Sequence, residues 1–137
     1  MIEYSQEKIR VLLIAVHFKS ETFELTEDSL SEMESLAKTL EFEVVGKEFQ
    51  TRDRLDSRSY LGTGKLLAVK QYIEENDVNL VLFDRELSPN QGKNIETFLN
   101  CMVWDRTQLI LEIFAGHART PESRDQVELA QLQYMLP

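Results

Sequence analysis

Residues 11–16 read VLLIAV, a run of six apolar side chains without a polar interruption. A strand that exposes one face to water alternates apolar and polar residues, so this run predicts a strand that is covered on both faces. Residues 80–83, which read LVLF, form a second run of this kind, and Asp84 ends it. Fully apolar strands are typical of the interior of a parallel sheet.

Two other segments predict strands at the edges of that sheet. Residues 43–49 mix apolar with charged side chains, and residues 102–104 form only a short apolar segment. Because strands and helices alternate along the chain, the pattern favours β-α-β units with right-handed crossovers. With the two apolar strands in the middle, we expect an α/β fold: a small four-stranded parallel sheet of order 2-1-3-4, with helices on both faces.

The helices of this fold are predicted from capping residues, prolines and the helical spacing of apolar side chains. The predicted starts are Thr26 as a cap, Gly64 for a helix that runs to Glu75, Ser88 with Pro89 and Gln91 in a capping box, and Thr107 for a largely apolar helix.

The last part of the chain predicts a further helix that leads away from the sheet. Thr120, Pro121 and Glu122 combine a hydroxyl cap, a proline in the first turn and a carboxylate near the positive end of the helix dipole. The helix that follows, over residues 126–136, carries apolar side chains on two faces. One face holds Val127, Ala130 and Tyr134, and the other holds Leu129, Leu132 and Leu136.

A helix that is apolar on two sides needs a second partner. We therefore expect a parallel α/β domain at residues 1–119, followed at residues 120–137 by the start of a longer helical arm whose continuation is missing. Exposed apolar surface promotes association. The residues expected to mediate self-association are Val127, Leu129, Leu132, Tyr134 and Leu136.

The composition of the chain excludes several classes of protein. A length of 137 residues suits one domain, and a net charge of −9 argues against unspecific binding to nucleic acid or anionic membranes. No apolar run approaches the roughly 20 residues of a membrane span. The single cysteine, Cys101, fits a reducing cytosol, so a cytoplasmic location is expected. Cys101, His17 and His117 are too isolated in sequence to predict a metal site, and no catalytic residue is predicted.

Three of the four predicted strands end in an acidic residue beside an arginine. Because ligands of parallel sheets gather at the carboxyl ends of the strands, these pairs predict a partly basic rim that contacts phosphate. The alternative interpretation is that the aspartates cap the following helices while the arginines pair with them. The pairs are Asp53 between Arg52 and Arg54, Asp84 with Arg85, and Asp105 with Arg106.

Residues 51–65, which read TRDRLDSRSYLGTGK, form the second candidate site. The segment holds four basic residues against two acidic ones, and its glycines open a helix whose backbone N–H groups could face an anion. It is not a Walker A loop, because Ser59 and Leu66 stand where that motif needs a glycine and a hydroxyl. Alternatively, the glycines serve only a tight loop, and the tyrosine is a hydrophobic staple instead of a surface for stacking on a base. The candidate RNA- or phosphate-binding residues are Arg52, Arg54, Arg58, Tyr60, Gly62, Gly64 and Lys65.

Several motifs, in order, give the chain a resemblance to a known family. They are RDR at 52–54, YLGTGK at 60–65, DRELSP at 84–89, DRTQLILEIFA at 105–115, ART at 118–120 and QVELAQLQYMLP at 126–137. From about residue 44 onward, the chain resembles the N-terminal domain of the HflX family of ribosome-associated GTPases.

The resemblance implies a non-catalytic domain that recognises rRNA on the large ribosomal subunit, within a GTP-binding protein that acts in ribosome splitting and rescue. GTP and Mg²⁺ are then expected in a separate GTPase domain, since the motifs G-x-x-x-x-G-K-[ST], D-x-x-G and N-K-x-D do not occur in these 137 residues. No cofactor is expected in this part of the protein. HflX-like proteins are also linked to ATP use outside the GTPase domain, which leaves an alternative: a small nucleotide- or phosphate-binding domain that uses the loop at residues 62–65.

Overall fold

The computed structural model describes residues 8–52, 61–117 and 121–136 of the chain. Its four strands form one parallel sheet of order β2-β1-β3-β4, which confirms the expected order 2-1-3-4. The strands are β1 (Arg10–Phe18), β2 (Glu43–Arg52), β3 (Leu80–Phe83) and β4 (Met102–Trp104).

Five helices accompany the sheet within the described ranges. Four of them alternate with the strands or follow the last strand, and the fifth packs against the fourth. The helices are α1 (Phe23–Thr39), α2 (Thr63–Asn76), α3 (Pro89–Leu99), α4 (Arg106–His117) and α5 (Pro121–Met135).

The apolar run of β1 is buried on both faces, as the sequence predicts. Leu12, Ile14 and Val16 point into a core closed by α2 and α3. Val11 and Leu13 point into a second core closed by α1 and α4. Because successive side chains of a strand point to opposite faces, only a continuous apolar run satisfies both cores.

The predicted start of α1 is wrong. The helix begins at Phe23 with Thr22 as its N-cap, and Thr26 lies inside the first turns with 3% of its surface exposed. The hydroxyl of Thr26 lies 2.9 Å from Nδ1 of His17 on β1, so this threonine joins the helix to the sheet. The buried hydroxyl that the sequence analysis assigned to a cap is therefore explained by its bond to His17.

The predicted start of α3 is confirmed in its details. The hydroxyl of Ser88 accepts a hydrogen bond from the backbone N–H of Gln91 at 3.1 Å, and the amide oxygen of Gln91 accepts one from the backbone N–H of Ser88 at 3.0 Å. Pro89 occupies the first turn, where its missing N–H costs nothing. This capping box fixes the loop between β3 and α3 at the carboxyl edge of the sheet.

Candidate RNA- or phosphate-binding site

The carboxyl ends of β1 and β2 extend well beyond those of β3 and β4. Strand β2 runs three residues further than expected and ends at Arg52, because it pairs with β1 along the full length of that strand. The candidate residues at the end of β2 therefore lie on a projecting corner. We call Glu48, Gln50, Arg52, Gly62 and Lys65 the basic corner, since it contains two of the candidate cations.

The loop glycine Gly62 is held against the end of β2. Its backbone N–H donates a hydrogen bond to the side-chain oxygen of Gln50 at 3.1 Å. A Cβ placed on Gly62 would lie 3.1 Å from Nη1 of Arg52 and 3.3 Å from Nε2 of Gln50. Glycine at this position therefore lets the guanidinium of Arg52 pack beside the start of α2.

The lysine of the basic corner is engaged in an ion pair. Nζ of Lys65 lies 2.7 Å from Oε2 of Glu48, and the two side chains are 21% and 40% exposed. A phosphate that used this loop as a cradle would have to displace Glu48 from Lys65 and Gln50 from Gly62. The second glycine, Gly64, has open space where a Cβ would be.

The structure brings Arg52, Gly62 and Lys65 together in this corner. Three other candidates from the same segment, Arg54, Arg58 and Tyr60, lie outside the described residues, as does Asp53. Their part in the candidate site therefore remains a prediction from the sequence.

The acid-arginine pair after β3 does not pair internally. Asp84 is 7% exposed and accepts a hydrogen bond from the hydroxyl of Ser29 on α1 at 3.0 Å. Nη2 of Arg85 lies 2.6 Å from Oε2 of Glu21, and its guanidinium carbon lies 4.5 Å from the ring centre of Phe18. Burial raises the pKa of the Asp84 carboxyl, against the smaller lowering effects of Ser29 and Arg85.

In the pair after β4, the aspartate and the arginine also have separate partners. Asp105 is 1% exposed and caps α4, with Oδ1 accepting from the backbone N–H of Gln108 at 3.0 Å. Arg106 pairs with Glu32 on α1. Asp105 thus caps the helix that follows it, whereas Asp84 binds to α1. Arg85 and Arg106 pair with acids that come from α1 or its approach, not with their sequence neighbours.

Sequence reasoning missed the acidic partners Glu48, Glu21 and Glu32. It also missed the contact between α5 and the sheet edge, in which the Tyr134 hydroxyl donates to Oδ2 of Asp105. No local sequence pattern predicts such pairs, because each joins residues from different elements. The sequence signal that these ion pairs share is the excess of acidic over basic residues, which makes an unpaired arginine or lysine improbable.

The isolated histidine and cysteine have structural roles where they are described. His17 bonds to Thr26, and its ring lies edge-on to Phe23 at 5.3 Å. Burial raises the pKa of the Cys101 thiol, as does the neighbouring Glu96, so the thiol is less reactive than a free one. The side chain of His117 lies outside the described residues.

Two further findings concern the described ranges as a whole. Among their histidine, cysteine, aspartate and glutamate side chains, no group of three or more is placed to hold a metal ion. In the same part of the chain, no helix has both the length and the apolarity needed to cross a membrane.

Helix α5 presents its two apolar faces as the sequence predicts. Val127, Ala130 and Tyr134 are half-buried. Leu129 and Leu132 on α5, and Leu136 directly after it, are 55%, 63% and 66% exposed. One face is therefore docked, while the other is exposed.

The chain is a small doubly wound α/β domain with the basic corner at the carboxyl ends of its two long strands. The family model described as "GTP-binding GTPase N-terminal" matches residues 27–115. The GTPase HflX of Alkalihalophilus pseudofirmus is 44% identical over 127 residues, which cover 93% of this chain and 30% of that protein. The GTPase HflX of Escherichia coli is 36% identical over 126 residues, which cover 92% of this chain and 29% of that protein.

A solved structure has the same fold. The GTP-binding protein from the hyperthermophilic archaeon Sulfolobus solfataricus, in complex with GDP, superimposes with a TM-score of 0.71 at 25% identity and covers 93% of this chain and 37% of that one. The chain belongs to the HflX family and corresponds to the N-terminal domain of its members. It spans about 30% of the length of the relatives it matches.

Proposed function

We propose that this chain is the ribosome-recognition domain of an HflX-like GTP-binding protein, which acts on the large ribosomal subunit in ribosome splitting and rescue. The observation that carries the proposal is the alignment of more than nine-tenths of the chain with GTPases HflX. Within the proposal the domain performs no chemistry. It binds rRNA. Helix α5, as the start of a helical arm, couples the position of the bound domain to a GTPase domain that holds GTP and Mg²⁺.

The charge distribution supports a local contact with rRNA. A chain with a net charge of −9 is repelled by nucleic acid as a whole, so binding needs a place where cations project. The basic corner is such a place, because Arg52 ends the longest strand of the sheet and lies beside the first turn of α2. Arg54 and Arg58 follow it directly in the sequence and would add to the same contact.

The rim formed by Arg85 and Arg106 is a weaker candidate for phosphate. Both guanidinium groups already pair with a glutamate, and Arg85 also covers the ring of Phe18. A phosphate there would replace an existing carboxylate, as it would at Lys65. We propose that the basic corner provides the first contact with rRNA and that the rim contributes less, because Arg54 and Arg58 follow Arg52 in the sequence and add positive charge only to the corner.

The proposal is tested in the full-length protein by the triple substitution Arg52→Ala, Arg54→Ala and Lys65→Ala. Each lost phosphate contact should reduce the dependence of log K on log salt by about one unit, and binding to purified large subunits should weaken. The matched control replaces Lys38, Lys70 and Lys93 by alanine, which removes the same charge from α1, α2 and α3. Unchanged binding in the first variant, or an equal loss in the control, contradicts the proposed contact.

The nucleotide-binding alternative has weaker support, because Ser59 and Leu66 stand where a Walker A loop needs a glycine and a hydroxyl. The N–H of Gly62 and the ammonium of Lys65 have partners in Gln50 and Glu48, which a nucleotide or an rRNA phosphate would have to displace. Titration calorimetry with GTP, ATP and inorganic phosphate separates the two functions. We expect no heat of binding from this chain with any of the three. Micromolar affinity for ATP or phosphate, lost on Lys65→Ala, would instead establish the alternative.

A further inference from the structure

Asp105 is a buried carboxylate on which three parts of the fold meet. Its Oδ1 accepts a hydrogen bond from the backbone N–H of Gln108 at 3.0 Å, in the first turn of α4. Its Oδ2 accepts one from the backbone N–H of Leu87 at 2.9 Å, in the loop that leads to α3. The hydroxyl of Tyr134, on the last turn of α5, donates to the same Oδ2.

The first two contacts come from groups outside α5. The amide oxygen of Gln108 accepts in return from the backbone N–H of Asp105 at 3.1 Å, which completes a capping box at the start of α4. With α5 in place, only 1% of the surface of Asp105 is exposed. Tyr134 therefore binds to a fixed point of the domain.

The rest of α5 is packed loosely against the domain. A groove of about 320 Å³ runs along the helix, between Trp104 and Leu132, and a second space of about 440 Å³ lies beside Tyr134, next to Pro89. The helix rests on α4, and in the groove Nε2 of Gln131 donates to Oε1 of Glu112 at 3.0 Å. That bond ends on a partly exposed side chain, whereas the bond from Tyr134 ends on a buried carboxylate that two backbone N–H groups hold.

We propose that Tyr134 and Asp105 form a positioning pair, which sets the direction in which α5 leaves the parallel domain. The inference rests on the proposed function, in which α5 begins the arm that connects this domain to the rest of the protein. Burial, and then the bond to Asp105, raise the pKa of the Tyr134 hydroxyl, so it remains a donor throughout the neutral range. Loss of the hydroxyl would leave the tyrosine ring in its contact but would release the helix to swing.

The test measures the direction of α5 without any ribosome. Spin labels are attached at Glu74→Cys on α2 and Gln133→Cys on α5, both exposed positions, in a Cys101→Ala background. Distances between the labels are then measured by pulsed electron spin resonance. We expect one narrow distribution in the parent, and a broader or double one in Tyr134→Phe. Amide exchange over residues 125–136 should also become about tenfold faster, because one bond to a charged group is lost.

Tyr72→Phe is the matched control. Its hydroxyl donates to the backbone oxygen of Val45 at 2.9 Å, so the variant loses a bond of the same kind between α2 and β2. We expect it to lower the thermal midpoint without changing the distance distribution. An unchanged distribution and unchanged exchange in Tyr134→Phe would overturn the positioning pair. A wild-type protein that does not bind the large subunit would overturn the proposed function alone, since the distances do not depend on that binding.

Discussion

Lys65 and Glu48 form an ion pair across the basic corner, with 2.7 Å between Nζ and Oε2. The pair joins the first turn of α2 to the edge strand β2, and it neutralises a cation that sequence reasoning assigned to phosphate. A partly exposed ion pair contributes about 1 kcal/mol or less to stability. We therefore expect that the lysine can exchange its carboxylate for a phosphate at small cost, and that Glu48 limits how strongly the corner attracts one.

We predict that Glu48→Gln strengthens binding of the full-length protein to the large ribosomal subunit. The substitution releases the charge of Lys65 while leaving a side chain of the same shape. The salt dependence should become steeper by up to one unit, which corresponds to one additional phosphate contact. Affinity is measured by sedimentation at several salt concentrations.

Glu43→Gln is the control for this prediction. Glu43 stands at the other end of the same strand, where Oε2 lies 3.4 Å from Nη1 of Arg10. The variant changes the net charge by the same amount but acts away from the basic corner. Equal effects of the two substitutions would mean that total charge, and not Lys65, governs binding.

The apolar strands and the start of α3 were accessible from the sequence because their signals are local. The run of apolar residues in β1 and the capping box at Ser88 depend only on neighbours within a few positions. Thr26 shows the limit of this reasoning, because a threonine before an apolar helical pattern looks the same whether it caps a helix or bonds to a histidine on another element. The difference lies in His17, on another element.

The candidate site was less accessible, since its state depends on pairs between elements. Lys65 meets Glu48 because of the register of β2 against β1 and the way α2 covers that edge. Tyr134 meets Asp105 because α5 folds back over α4. The sequence shows that these residues exist, but only the packing of the elements brings them together.

Gly46 and Gly64 are predicted to respond in opposite ways to alanine. A Cβ on Gly46 would collide with the hydroxyl of Tyr72 and lie 3.2 Å from a methyl group of Leu12, so Gly46→Ala should destabilise the fold by roughly 1–3 kcal/mol. Gly64 lies inside α2 with open space around it, so Gly64→Ala should stabilise by about 0.5–1 kcal/mol. Urea denaturation of both variants measures the two changes.

The Gly64→Ala variant also examines the role of this glycine in binding. If the backbone at Gly64 approaches a phosphate closely, the more stable variant should bind the large subunit less tightly. If binding is unchanged while stability rises, Gly64 has no part in the contact. Gly64 would then leave the set of candidate residues.

Asp84→Asn is predicted to stabilise the protein at neutral pH. Burial raises the pKa of Asp84 in the folded state above its ordinary value of 3.8, so folding favours the protonated carboxyl. The proton bound to Asp84 stabilises the fold below the unfolded pKa, and this stabilisation is lost as the pH rises through the folded pKa. The neutral amide of the asparagine keeps an oxygen that accepts the hydrogen bond from Ser29, and it avoids this loss of stability. The advantage of the variant should therefore be small below about pH 3.8 and grow as the pH rises.

Glu34→Gln provides a control of opposite sign. Lys47, whose Nζ lies 2.9 Å from Oε1 of Glu34, lowers the pKa of this carboxyl below its ordinary value of 4.5. Glu34 therefore stabilises the fold above the unfolded pKa, and this stabilisation is lost as the pH falls through the folded pKa. Denaturation curves recorded between pH 3 and pH 7 give the unfolding free energy of each variant relative to the parent. This difference should change with pH in opposite directions for the two variants. A stability difference for Asp84→Asn that does not change with pH would show that this group does not titrate as argued.

The open face of α5 is predicted to make this chain associate. Leu129, Leu132 and Leu136 are each more than half exposed, and burial of a leucine is worth roughly 1.5–3 kcal/mol. Replacing the three by glutamine should abolish any rise of the apparent mass with concentration in light scattering. The control, Val127→Gln, alters the half-buried face and should loosen α5 without preventing association. A parent chain that remains monomeric at high concentration, with the same scattering as the triple variant, would show that this apolar face does not bind a second copy.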